Sequence, residues 1–181
     1  VVTADVELAG LVSLSGEFGI KKLPGGDIFV VADNAAATLE AGSTRVGVSD
    51  GEVALVVPAA GDYALYARGD ALIDVAGVGR VTGEFEIRQN KSTTTAFSAQ
   101  TVTVGTVSVD VPTLAAAVEA ITGEGVEVQL LDFLNITGDF GVAQDLATGD
   151  IAVLIDGASA LLESGPTTVG VTDAELALLL P

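Results

Sequence analysis

The stretch that decides the fold is residues 26–58, GDIFVVADNAAATLEAGSTRVGVSDGEVALVVP, because the chain nearly repeats it at residues 149–181, GDIAVLIDGASALLESGPTTVGVTDAELALLLP. Nineteen of the 33 paired positions are identical, and most others are conservative exchanges such as Val31/Leu154. Similarity at a fixed spacing is typical of proteins that stack copies of a unit unable to bury its apolar face alone. The sequence therefore predicts a repeat architecture.

A shorter motif of Gly, an acidic residue and Phe divides the chain further. It occurs three times, at residues 16–18, 83–85 and 138–140. We interpret the period of about 123 residues as two related halves. Half A is residues 1–58, half B is residues 59–123, and residues 124–181 are half A of the next period, all within one continuous array.

Apolar residues alternate with other residues around each copy of this motif, over residues 6–20, 73–87 and 126–142. Alternation with a period of two indicates extended strands with one buried face. Read as single strands, these segments would be about 50 Å long at 3.3 Å per residue. They are expected to bend at glycines such as Gly10 or Gly77, or to form an elongated rod.

Turn residues separate these segments from the strands that follow. Residues 23–27 (LPGGD) and 146–150 (LATGD) each predict a hairpin turn. The copies align with an offset of 122 before this turn and 123 after it. A one-residue change inside a strand would move every following side chain to the wrong face, so the turn is where it is expected.

Residues 112–122 (PTLAAAVEAIT) give the only helical prediction. Proline stands near the start, alanines fill the body, and Gly123 follows as a stop.

The composition excludes several classes of function. The chain has no Cys, His, Met or Trp, so disulfides, Ser-His-Asp or Cys-His triads and the usual zinc or haem ligands are excluded. Seven basic residues and a net charge of −18 argue against nucleic-acid binding and make cations the natural partners. Apolar runs are too short for a membrane-spanning helix. We predict no catalytic residue and no enzymatic activity.

Repeated acidic residues give the one candidate site. Carboxylates near loop tips, together with backbone carbonyls, could bind Ca²⁺, although Asp is also a common turn residue. The six candidate calcium ligands, three in each copy, are Asp27, Asp33, Asp50, Asp150, Asp156 and Asp173. Ca²⁺ is the only cofactor considered.

Several of these motifs together resemble repeats of giant secreted or surface-anchored bacterial proteins, of the haemolysin-type or RTX-like kind. The segments that carry the resemblance are residues 15–18, 30–42, 46–55, 107–112 and 137–140. The resemblance implies an extracellular or cell-surface, elongated molecule with many repeats.

We therefore expect an all-β, elongated repeat protein, either a β-solenoid or a continuous stacked-sheet rod of largely antiparallel hairpins. Its expected role is a structural segment of an extracellular filament, sheath or surface stalk that associates with neighbouring repeats or copies. One alternative is a set of calcium-stiffened β-sandwich extender domains of an adhesin. Another is a carbohydrate-active β-helix.

Overall fold

The computed structural model describes residues 2–8, 12–41, 43–59, 61–131, 133–164 and 166–181, and within them it has twelve strands. The strands are β1 (Val2–Leu8), β2 (Val12–Lys22), β3 (Ile28–Ala41), β4 (Thr44–Val57), β5 (Ala64–Val75), β6 (Gly79–Asn90), β7 (Gln100–Val104), β8 (Val107–Val111), β9 (Val118–Leu130), β10 (Leu134–Asp145), β11 (Ile151–Ser164) and β12 (Thr167–Leu180).

Ten of these strands form one open sheet in the order β1-β2-β3-β4-β5-β6-β9-β10-β11-β12. Neighbours along the chain pair antiparallel, and β6 also pairs antiparallel with β9. Between β6 and β9 the chain leaves the sheet to form the hairpin β7–β8, a separate two-stranded sheet. The predictions of an all-β chain and of largely antiparallel hairpins are confirmed.

The long alternating segments are hairpins rather than single strands. Residues 73–87 divide at the turn Ala76–Val78, where Gly77 has φ 76° and Val78 N donates to Val75 O at 2.9 Å. Residues 126–142 divide between β9 and β10. The expectation of a bend at Gly77 is confirmed, whereas Gly10 lies outside the described residues. Folding back lets each strand satisfy its backbone groups against the other.

The helix predicted at residues 112–122 is wrong. Residues from Val118 onward belong to β9 and pair with β6 and β10. Before β9, Leu114 forms a bridge with Phe97, and Ala117 has φ 53°, which no right-handed helix allows. Two sheet neighbours for β9 outweigh the helical preference of its alanines, since propensity is a weak prior against tertiary pairing.

The two similar stretches adopt the same backbone. In one hairpin Ala32 pairs with Val53 and Ala37 with Val48. In the other, the residues 123 positions later pair in the same way, as Ile155 with Leu176 and Ala160 with Val171.

The one-residue offset lies in the preceding turn, as predicted. Five residues separate the pair Lys22–Ile28, whereas six separate the matching pair Gln144–Ile151.

Residues with irregular backbone conformation lie side by side on neighbouring strands, at one level along the strand direction. Register shifts occur in most neighbouring strand pairs at this level. Residues there with positive φ are Gly16, Asn34, Asp50, Gly83, Gly125, Gly138, Gly157 and Asp173. Bulges of this kind bend a strand and increase its twist. We call this line the bulge row.

The main buried cluster lies where β7–β8 packs on one end of the sheet. It joins sheet residues from β3, β4 and β5 to the valines of the hairpin and to Leu114, with Phe29 and Phe97 at its margin. Its members are Val31, Ala54, Val56, Ala64, Tyr66, Val102, Val104, Val107, Val109, Val111 and Leu114.

Asn90, the last residue of β6, fixes the backbone where the chain leaves the sheet toward this cluster. Its side chain is buried, and Nδ2 donates to Thr95 O at 3.0 Å and to Leu114 O at 3.3 Å. Its Oδ1 accepts from Ser92 N at 3.1 Å.

Candidate functional site on the two faces of the sheet

The sheet has two chemically distinct faces. The pairing registers place Phe18, Phe85 and Phe140 on one side, which we call the apolar face. Glu17 and Asp139, each next to one of these phenylalanines, lie on the other side, which we call the acidic face and which also carries the β7–β8 hairpin. Strict alternation along each strand produces this separation.

Carboxylates line up across the acidic face at the level of the bulge row. The pairing registers place one acidic residue on each of nine neighbouring strands. This acidic row consists of Glu17, Asp33, Glu52, Asp70, Glu84, Glu124, Asp139, Asp156 and Glu175. Several neighbours are directly paired like charges, such as Asp139 with Asp156. Like charges opposite one another destabilise a sheet, so the row concentrates unfavourable electrostatic energy at one level of the sheet.

Arg68 is the basic residue within the row. Its Nε lies 2.8 Å from Glu84 Oε1, and a second guanidinium nitrogen donates to Oε2 at 2.8 Å. The hydrogen bond and the charge of Glu84 raise the pKa of Arg68 above its usual value. A polar groove of about 220 Å³ lies beside this pair and is also bounded by Asp50, Glu52 and Asp70. Bidentate pairing fixes the guanidinium there.

The predicted calcium residues fall into three kinds of position. Asp27 and Asp150 lie in turns, Asp33 and Asp156 lie on strands in the acidic row, and Asp50 and Asp173 lie at bulges. Within the described residues, no group of three or more His, Cys, Asp or Glu is arranged to hold a metal ion. Calcium binding at these six residues stays a prediction.

Some of these acids have identifiable roles in the backbone. Asp50 and Asp173 have φ 51° and 54°, values that Asp, Asn and Gly tolerate best. Asp27 Oδ1 accepts from Ala59 N at 2.9 Å and so ties the turn after β2 to the end of β4. Backbone geometry explains why Asp recurs at the bulge positions of both copies.

The exposure of the apolar face is the feature that sequence reasoning missed. The alternation predicted a buried face, but the large side chains on this one remain exposed. They are Leu14, Ile20, Leu39, Val46, Val48, Ile73, Ile87, Ile121, Leu130, Ile136, Val142, Leu162, Val169, Val171, Leu176, Leu178 and Leu180. Contiguous exposed apolar surfaces are uncommon on monomeric proteins and are typical of interaction sites.

Two grooves are set into this face near the bulge row. One has a volume of about 330 Å³, with Phe18 and Phe85 on its walls and small residues such as Ala35 and Gly51 between them. The other, of about 390 Å³, lies beside Phe140. The aromatic rings project from the face, and the small residues between them leave grooves. Side chains of a second layer could pack into these grooves.

Phe85 and Phe140 meet across an intervening strand. Their ring centroids are 5.6 Å apart in an edge-to-face arrangement, and Gly123 pairs with both residues from β9 between them. A Cβ at Gly123 would collide with the Phe140 ring. The glycine expected to stop a helix instead makes room for this aromatic contact.

The chain exposes more surface than a typical folded monomer of its mass. The accessible surface of the chain is 10625 Å². A folded monomer of 18.0 kDa is expected to expose about 8,000 Å². The excess is about 2,600 Å² per chain, or about 5,200 Å² for two chains, which lies at the upper end of the range that obligate protein interfaces bury.

Two further groups have shifted pKa values. Burial, with the nearby carboxylate of Glu86, raises the pKa of Tyr66. The hydrogen bond from Lys91, whose Nζ lies 3.1 Å from Glu119 Oε2, lowers the pKa of Glu119. Both groups lie at the end of the sheet that carries the hairpin.

Among the described residues, no helix is long and apolar enough to span a membrane. Comparison with protein-family models, with curated proteins and with solved structures finds no match to this chain.

Proposed function

We propose that this chain is a non-catalytic structural segment of a long extracellular filament, sheath or surface stalk. The observation that carries the proposal is that two hairpins of similar sequence, β3–β4 and β11–β12, share one continuous sheet with the same register. Such a unit lengthens a sheet by repetition. The resemblance to giant bacterial surface proteins supports the extracellular assignment.

The topology gives a length for each period. Strand β10 matches β2, and the two stand six places apart in the sheet order. Neighbouring strands are about 4.8 Å apart, so one 123-residue period advances the sheet by about 29 Å across its strands. Consecutive antiparallel pairing favours the stacked-sheet rod over a solenoid of parallel coils.

The stacking partner in this proposal is a second copy of the chain, with its apolar face against the first. The excess area of about 2,600 Å² on each chain, about 5,200 Å² for two, is as large as the largest obligate interfaces. The acidic faces of a chain with net charge −18 repel one another, so they stay outward. A lipid surface fits less well, because the chain has no Trp and only seven basic residues to anchor it.

Chain length tests the filament proposal. Proteins with one, two and three added 123-residue periods are prepared and measured by small-angle scattering and negative-stain imaging. A rod whose length grows by about 29 Å per period supports the proposal. Separate globules, in which every period adds one bead, contradict it and favour sandwich extender domains.

Paired substitutions test the stacking. Ile87→Asp with Val142→Asp, on the apolar face, is expected to convert a dimer into monomers in sedimentation experiments, because buried unpaired charge is strongly unfavourable. Thr82→Asp with Thr122→Asp, on the acidic face, is the matched control and is expected to leave the dimer intact. A monomeric unsubstituted chain, or one that partitions into phosphatidylcholine vesicles instead of dimerising, overturns the stacking.

Calcium-stiffened sandwich domains are the second candidate. The packing of β7–β8 on one end of the sheet forms a local two-layer core, which is the arrangement that a sandwich would extend. A melting temperature that rises with calcium and falls with a chelator favours this candidate.

A further inference from the structure

The two similar hairpins differ in what covers them. In β3–β4 the acidic-face residues next to β7–β8 are buried, and Val31 and Val56 are 0% and 8% exposed. Their counterparts in β11–β12, Leu154 and Leu179, are 57% and 66% exposed. The second copy thus has large apolar side chains at the same positions as the first, but there they are exposed to solvent.

A glycine pair shows the same difference. At Gly19, a Cβ would lie 2.8 Å from Val104 Cβ, so the hairpin needs glycine there. The counterpart on β10 is Gly141, where a Cβ would make only ordinary contact with Thr122 Cγ2 at 3.5 Å. On the acidic face, the space above Gly141 is therefore open, whereas the space above Gly19 is filled by the hairpin.

The strand edges complete the comparison. Strand β4 pairs with β3 on one side and β5 on the other, and Glu52 of β4 faces Arg68 of β5. Strand β12 pairs with β11 alone among the described strands, and its counterpart of Glu52, Glu175, is exposed.

We propose that the edge of β12 and the patch formed by Leu154, Ala177 and Leu179 are one docking site for a second copy of half B, residues 59–123, following in the same array. A strand equivalent to β5 would pair with β12 and bring an arginine opposite Glu175. A hairpin equivalent to β7–β8 would then cover the patch with its valines and fill the space above Gly141. The inference rests on the proposed function, because it names the contact by which one period receives the next.

The hairpin of a separate molecule is not available for this site. Its valines, Val102, Val104, Val107 and Val109, are already buried against its own β3–β5 region. A covalently following half B, with its own hairpin, is the occupant that the geometry favours.

The absence of cysteine from the sequence gives a clean test. Single variants Leu154→Cys, Val31→Cys and Ser49→Cys are made in the 181-residue chain and in a chain extended after Pro181 by a second copy of residues 59–123. Thiol labelling at residue 154 is expected to slow at least about tenfold in the extended chain, since it then requires local opening. Residue 31 is expected to label slowly, and residue 49 rapidly, in both chains.

The matched control carries Val104→Asp and Val109→Asp in the added copy only, and it is expected to restore fast labelling at residue 154. Equal labelling of residue 154 in the original and extended chains overturns the docking site. Particle length in the same samples separates the two proposals: growth without protection refutes only the docking site, whereas absence of growth refutes the filament together with the pairing of a β5-equivalent strand on β12.

Discussion

At the scale of single residues, backbone geometry explains the glycine of the Gly-acid-Phe motif. Gly138 has φ 152°, and a Cβ there would lie 2.9 Å from Ala158 Cα on the next strand. Gly16 faces Ala35 in the same way. The motif therefore marks where two strands approach closely at the bulge row.

Gly138→Ala is expected to destabilise the fold by about 1–3 kcal/mol, because it forces both an unfavourable φ and a backbone collision. Denaturant midpoints measure the change. Gly25→Ala, in a turn with open space around the added carbon, is the control and is expected to stay within about 0.5 kcal/mol. Equal stability of the two variants contradicts the close-approach explanation.

Tyr66 gives a prediction for high pH. Its pKa is raised in the folded state by burial and by Glu86, so folding favours the neutral phenol. The stabilisation is fully present below the unfolded value of about 10 and is lost as the pH rises through the folded pKa.

Absorbance titration of a Tyr63→Phe variant, which leaves Tyr66 as its only tyrosine, is expected to show ionisation above the value in the unfolded chain, followed by unfolding. The matched measurement is the high-pH melting temperature of Tyr66→Phe, which is expected to fall less than that of the unsubstituted chain. Titration of the folded Tyr66 at or below its unfolded pKa contradicts this account.

At the scale of elements, Asn90 ties both segments that flank the β7–β8 hairpin to the end of β6. Asn90→Asp keeps the acceptor for Ser92 N but loses the donor to Thr95 O and Leu114 O. The carbonyls left without a donor are expected to cost about 1–3 kcal/mol, and burial of the new charge adds to that cost. Hydrogen exchange over residues 100–111 is then expected to quicken more than exchange in β10 and β11.

Gln100→Glu makes the same chemical change at an exposed position of β7 and serves as the control. Uniform acceleration of exchange over the whole chain in Asn90→Asp would mean that the hairpin and the sheet unfold as one unit.

At the scale of the whole molecule, charge repulsion along the acidic row opposes the fold. Raising the ionic strength from about 0.01 M to 0.15 M shortens the Debye length from about 30 Å to about 8 Å. The melting temperature is therefore expected to rise with NaCl. A falling melting temperature would show that attractive ion pairs, such as Arg68 with Glu84, outweigh the repulsion.

The same measurement separates screening from a metal site. At equal ionic strength, Mg²⁺ and Ca²⁺ are expected to act alike if they only screen the acidic row. An additional rise with Ca²⁺ that Asp33→Asn with Asp156→Asn abolishes would establish the predicted calcium site.

The sequence by itself determined the local content of this protein: strands with one apolar face, turns at residues 23–27 and 146–150, and two stretches of similar sequence. These follow from alternation, turn residues and repetition, which are properties of neighbouring residues. The candidate site was foreseen only in part. Asp33 and Asp156 of the acidic row were among the predicted site residues, but the alignment of the row across nine strands depends on pairing between distant segments.

Only the tertiary structure decided the conformation of residues 118–122, the position of the β7–β8 hairpin and the exposure of the apolar face. Residues 118–122 became strand because β6 and β10 supply hydrogen-bond partners on both sides, which local propensity cannot register. The β7–β8 hairpin packs on the acidic face instead of joining the sheet, and no part of the described chain covers the apolar face. Both features depend on contacts between layers, which the pattern of a single strand does not contain. Alternation tells which side chains share a face, whereas only packing determines what covers that face.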